Sequence, residues 1–132
     1  MPRWVRPAFP AAVAASLALS PAFAACVPGA AECPIDVEMA RGTDTITLGG
    51  TLSQTRDCCA YAMRVRAGQT LTWSVTGATI RSTIVYPNGD GDGPGLPMTI
   101  VLPQAGTYVF SLRPNLMAEG AFGPFTVTFT IR

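Results

Sequence analysis

Apolar and polar residues alternate with a period of two along most of this chain, and that constrains its fold more than anything else. Tyr61, Met63 and Val65 alternate with Ala62 and Arg64. Leu71, Trp73 and Val75 alternate with Thr72 and Ser74, and Tyr108, Phe110 and Leu112 with Val109 and Ser111. Phe125, Val127, Phe129 and Ile131 close the pattern against Thr126, Thr128 and Thr130. A strand places successive side chains on opposite faces, so each run offers one core face and one solvated face. Further runs begin at Ile35, Thr45, Ile80 and Met98, separated by Gly, Pro, Asn and Asp clusters. About eight such segments predict an all-β fold, an antiparallel β-sandwich. The outward positions are rich in Thr, whose branched Cβ suits the pleated, solvated face. Trp73 and Tyr61 fall at inward positions and are expected in the core. The Gly49-Gly50 step reads as a break between Thr45–Leu48 and Thr51-Leu52.

Ahead of the strands lies a segment of another kind. Arg3 and Arg6 precede an apolar run from Ala8 to Ser20, then Pro21, then Ala22-Phe23-Ala24. This is the layout of a signal peptide with cleavage after Ala24. The run is too short for a membrane span, which needs about 20 apolar residues, so no transmembrane helix is expected after cleavage. Residues 1–24 are therefore assigned to a leader, 25–34 to a cysteine-containing segment and 35–132 to the sandwich. Phe23-Ala24-Ala25-Cys26 also loosely matches a lipobox, with Phe where Leu is usual, so acylation of Cys26 is a second reading.

Export gives the cysteines meaning. Cys26, Cys33, Cys58 and Cys59 are an even set in an exported domain and predict two disulfides. Adjacent residues on a strand point to opposite faces, so the expected pairing sends Cys26 and Cys33 across to the Cys58-Cys59 pair. Closing loops of about 25 to 30 residues in this way stabilises by roughly 3 kcal/mol. A vicinal bond and a redox dithiol at Cys58-Cys59 are the alternatives.

The charged residues exclude much chemistry. All nine basic residues are Arg, with no Lys and no His. That removes Ser-His-Asp and Cys-His catalysis, His-ligated metals and Schiff-base lysines. A formal charge of +1 without a basic cluster gives no footprint for nucleic acid. The acids show no convergent spacing, and no enzyme activity is expected.

Three candidate sites remain. Asn88-Gly89-Asp90-Gly91-Asp92-Gly93 matches the opening of a calcium loop, with ligands expected from Asn88, Asp90 and Asp92. Thr99 stands where the bidentate Glu would be, and Pro94 and Pro97 interrupt the loop, so an ordinary polar turn is the other reading. Calcium is the only cofactor for which the sequence offers a candidate. The loop from Pro114 to Pro124 is apolar, and Leu116, Met117 and Phe122, with Arg113 at its entrance, form either a partner-binding patch or a lid on the core. Arg64 and Arg66 share an outward face. If Arg81 lies on a neighbouring strand the three make an anion-binding stripe, and otherwise they only solubilise the sheet. Loops 87–97 and 114–124 would form one recognition surface if they share an end of the sandwich.

Several pieces carry a family resemblance. Tyr61 to Val65 leads into Ala67-Gly68-Gln69-Thr70-Leu71, followed by Leu102-Pro103-Gln104-Ala105-Gly106-Thr107-Tyr108 and the terminal Phe125–Ile131 run, with Thr51-Leu52 upstream. In this order they resemble the bacterial pre-peptidase C-terminal domains and the periplasmic inhibitors of g-type lysozyme, over about Ile35 to Arg132. The resemblance implies a non-enzymatic periplasmic or secreted module that binds a protein or a cell-envelope glycan. For the inhibitors it implies arginines on the loop before the last strand that help block the enzyme's groove. Here that loop has no Arg beyond Arg113 at its entrance.

Overall fold

A computed structural model describes residues 28–55 and 58–132. The leader, the cleavage site and Cys26 lie outside the described residues. Among the described residues nine strands form: β1 (Ile35–Asp36), β2 (Thr45–Leu52), β3 (Ala60–Val65), β4 (Gln69–Thr76), β5 (Ile80–Val85), β6 (Gly91–Asp92), β7 (Thr99–Leu102), β8 (Gly106–Pro114) and β9 (Gly123–Ile131). They make a β-sandwich of two sheets, with strand orders β1-β3-β8-β5-β6 and β2-β9-β4-β7. Among the described residues no helix is long and apolar enough to cross a membrane.

The inward alternation is realised residue by residue. Tyr61, Met63, Leu71, Ile84, Leu102, Tyr108, Phe110, Leu112, Val127 and Phe129 are all at most 1% exposed, and Trp73 is buried with them. Each fully buried large side chain contributes roughly 1.5–3 kcal/mol. The aromatic rings interleave between the sheets. Tyr61 (β3) meets Phe129 (β9) edge-on at 5.3 Å, Phe129 meets Phe110 (β8) at 5.3 Å, and Phe110 meets Trp73 (β4) at 5.2 Å. The four rings thus alternate between sheets and knit the two layers. The Trp73 indole N–H donates to the Pro97 carbonyl at 2.8 Å, so its one polar atom is satisfied.

Four expectations are corrected. The Gly49-Gly50 step is not a break: β2 runs unbroken from Thr45 to Leu52 in register with β9. Gly50 is needed because the Phe125 ring lies over it, and a Cβ there would sit 2.6 Å from Phe125 Cζ. The run from Ile35 to Met39 pairs only at Ile35–Asp36, and parallel to β3. Val37 still donates to the Ala62 carbonyl at 2.8 Å, after which the chain leaves the sheet. Gly91–Asp92 pairs with β5 and extends the hairpin into what reads as a loop.

The fourth correction concerns the cysteines. Cys58 bonds to Cys59 and does not cross to the N-terminal segment. The alternation argument fails because both residues precede β3 and lie in irregular chain. Cys33 is itself disulfide-bonded. The segment before β1 is tied to the sandwich by backbone hydrogen bonds. Gly29 accepts from the Ala60 amide at 2.7 Å and donates to the Cys33 carbonyl at 2.8 Å. Ala30 is buried beside them.

Candidate functional site

Strand direction decides which loops meet. β5 and β8 are antiparallel with Ile80 opposite Pro114 and Val85 opposite Val109. The loop after β5 and the loop after β8 therefore emerge at opposite ends. Residues 87–97 and 114–124 do not form one surface.

Among the described residues three stretches converge at the end beyond Pro114: 53–55 with 58–59 after β2, 77–79 after β4, and 115–122 after β8. The last is strapped down at Thr79. The Thr79 amide donates to Gly120 O at 2.8 Å, its hydroxyl donates to Glu119 O at 2.8 Å, and its carbonyl accepts from the Asn115 amide at 3.0 Å. Asn115 Oδ1 accepts from the Met117 amide at 3.1 Å, and the Ala118 amide donates to Asn115 O at 3.0 Å, closing a turn. This turn holds Leu116 and Met117 away from the core, 71% and 90% exposed. Ala121 is the residue that packs inward. The lid reading is thereby corrected for Leu116 and Met117: an ordered loop presents them to solvent.

Between this loop and residues 53–55 and Cys58 lies a cleft of about 730 Å³. Leu52, Cys58, Pro114, Leu116 and Phe122 supply apolar walls, and Ser53, Gln54, Thr55 and Arg113 supply polar groups. Its described lining holds no carboxylate, amine or imidazole. Hydroxyls, an amide, one guanidinium and apolar surface are the means of recognition.

The arginines are distributed differently from the expected stripe. Sheet order places β8 between β3 and β5. Arg64 pairs across to Thr107, at the far end of β8, whereas Arg81 pairs directly with Arg113. Thr107 and Arg113 are six residues apart on one strand, about 20 Å. Arg64, Arg66 and Arg81 therefore make no stripe. Arg64 borders a smaller recess with Asp36 and Glu38. Arg81 and Arg113 are both exposed, and among the described residues the one ion pair is Arg132 with Asp44 at 2.7 Å. That bond holds the Asp44 carboxyl below its ordinary pKa. Two like charges directly opposite on adjacent strands destabilise a sheet, and among the described residues neither Arg81 nor Arg113 has an ion-pair partner. No sequence signal gave this pairing, because it depends on a long-range register.

The Gly/Asp loop at the other end satisfies itself. Asn88 donates from its amide to the Asp90 carboxylate at 3.0 Å and accepts from the Asp90 backbone at 3.0 Å. The Tyr86 hydroxyl donates to Asp92, which together with burial raises the Tyr86 pKa to about 12. Asn88 and Asp90 are thus bonded to each other, and Asp92 is bonded to Tyr86. No group of three His, Cys, Asp or Glu among the described residues is placed to hold a metal ion.

Comparison with solved structures places this sandwich among known ones. It is similar to Aeromonas hydrophila PliG, a periplasmic lysozyme inhibitor of g-type lysozyme, with TM-score 0.60 and 21% identity over 75% of this chain and 96% of that one. It is equally similar to a mutant of the Escherichia coli PliG inhibitor, with TM-score 0.60 and 18% identity over 75% and 97% of the two chains. The Salmonella Typhimurium PliG matches with TM-score 0.55 and 17% identity over 75% and 97%. The likeness shows a shared fold. No protein-family model matches the chain, the pre-peptidase C-terminal domain included, and no curated protein matches it.

Proposed function

We propose that the chain is an exported, non-enzymatic protein-binding module whose partner is a g-type lysozyme, held at the cleft end of the sandwich. The observation that carries this reading is the joint presence there of exposed Leu116 and Met117 with exposed Arg81 and Arg113 directly opposite each other. A glycosidase groove is built around catalytic carboxylates, and guanidinium groups pair well with them. The fold shared with the PliG inhibitors supports the same assignment. In this reading the apolar side chains are the anchors and the arginines give charge complementarity. The leader at residues 1–24 delivers the protein to the periplasm.

The test is direct. Cell-wall lysis by a g-type lysozyme falls as purified protein approaches a stoichiometric ratio, and unchanged lysis at excess rejects the reading. The broader alternative is a binding module for another envelope protein or a glycan. It is favoured by one observation, that Leu116 and Met117 occupy the loop on which the inhibitor resemblance places arginines. Saturable binding to such a partner, with lysozyme unaffected, supports this alternative.

A further inference from the structure

A sandwich has four open strand edges, and here three are blunted. β1 and β6 are two residues long, and β7 has four residues bounded by Pro97 and Pro103. Short edges and flanking prolines discourage pairing with another chain. The fourth edge, β2, is eight residues long, with no charge, no proline and an unbroken register. Among the described residues it has neither the shortness, the charge nor the proline that blunts the other edges.

The polarity of this edge follows from its inner ladder. Ile131 donates to the Asp44 carbonyl at 2.9 Å, so even-numbered residues of β2 bond to β9. In an antiparallel pair the intervening residues turn their N–H and C=O the other way. Thr45, Thr47, Gly49 and Thr51 therefore direct backbone donors and acceptors off the sheet. The Thr51 carbonyl faces Cys59 Sγ at 4.0 Å, and among the described residues Thr45, Thr47 and Gly49 are left exposed. Ile46 and Leu48, on the core side, are only half-buried at this edge.

We infer that β2 pairs antiparallel with β2 of a second copy, about a two-fold axis at Thr47. This register uses the three open residues and no others. Thr47 exchanges both bonds with its counterpart, and Thr45 exchanges both with Gly49 of the second copy. Ile46 then packs against Leu48 of the second copy and covers the half-buried pair. The strand is its own complement, as an isologous contact requires. Its lack of charge offers nothing by which to select a foreign strand. The result is one eight-stranded sheet across two molecules, with the cleft of each left to its own partner. The inference is independent of the inhibitor reading.

Sedimentation velocity on protein expressed from its full coding sequence tests this. The expected species is a dimer. Thr47→Pro removes the outward N–H and, on the outer face, the hydroxyl contact with Thr128 at 3.1 Å, and Thr47→Lys sets two ammonium groups opposite each other at the axis. Both variants are expected to sediment as monomers with unchanged circular dichroism. Wild-type protein that stays monomeric at its highest soluble concentration overturns the inference. So does a dimer that survives Thr47→Lys in a folded protein, and so does a monomer that takes up a synthetic β2 peptide without self-pairing.

Discussion

Met117 separates recognition from folding cleanly. At 90% exposed it contributes almost nothing to the core, so Met117→Ala is expected to leave stability within about 0.5 kcal/mol of the parent. Bound to a partner, the same side chain has nearly all its surface to lose from water. Full burial of a Met or Leu is worth roughly 1.5–3 kcal/mol. Loss of about 2 kcal/mol corresponds to about 30-fold in affinity, since roughly 1.4 kcal/mol is tenfold. Leu116, 71% exposed, is expected to behave similarly with a somewhat larger folding cost. Calorimetric titration against a g-type lysozyme reads the affinity, and a denaturant melt reads the stability. A large loss of stability in Met117→Ala with affinity unchanged would refute the reasoning, because the loop would then be covering the core.

Four further outcomes follow from the geometry. Arg81→Glu places opposite charges in register with Arg113, which is expected to raise stability by about 0.2–1 kcal/mol while weakening lysozyme binding; melts and titrations on one sample check both signs. Phe129→Ala empties the centre of the aromatic series and should cost about 3–5 kcal/mol by urea unfolding, a large part of a typical domain's stability. Gly50→Ala drives a Cβ into the Phe125 ring and should cost about 1–3 kcal/mol by overpacking, whereas Gly49→Ala, with its nearest contact 3.9 Å away, should cost less in the same melts. Burial raises the Tyr61 pKa from 10.0 to about 12, so the folded state keeps a proton that the unfolded state gives up. Stability is therefore full below pH 10 and falls as pH rises toward about 12; Tyr61→Phe should flatten that fall in denaturant midpoints taken across the range.

The sequence by itself determined the layers and the core. Period-2 patterning is a local property, and it put Tyr61, Trp73, Phe110 and Phe129 inside because a pleated strand has only two faces. It also determined what chemistry is missing, since a chain without His or Lys cannot gain them by folding. Whatever depends on register between distant strands was decided only by the tertiary structure. Gly49-Gly50 reads as a break until Phe125 is placed over Gly50. Arg81 reads as a companion of Arg64 until β8 is found between them with Arg113 opposite. Leu116 and Met117 read as lid or patch until Thr79 and Asn115 fix the loop that carries them. Local pattern assigns each residue a face, but only the assembled sheets assign it a neighbour, and recognition is a property of neighbours.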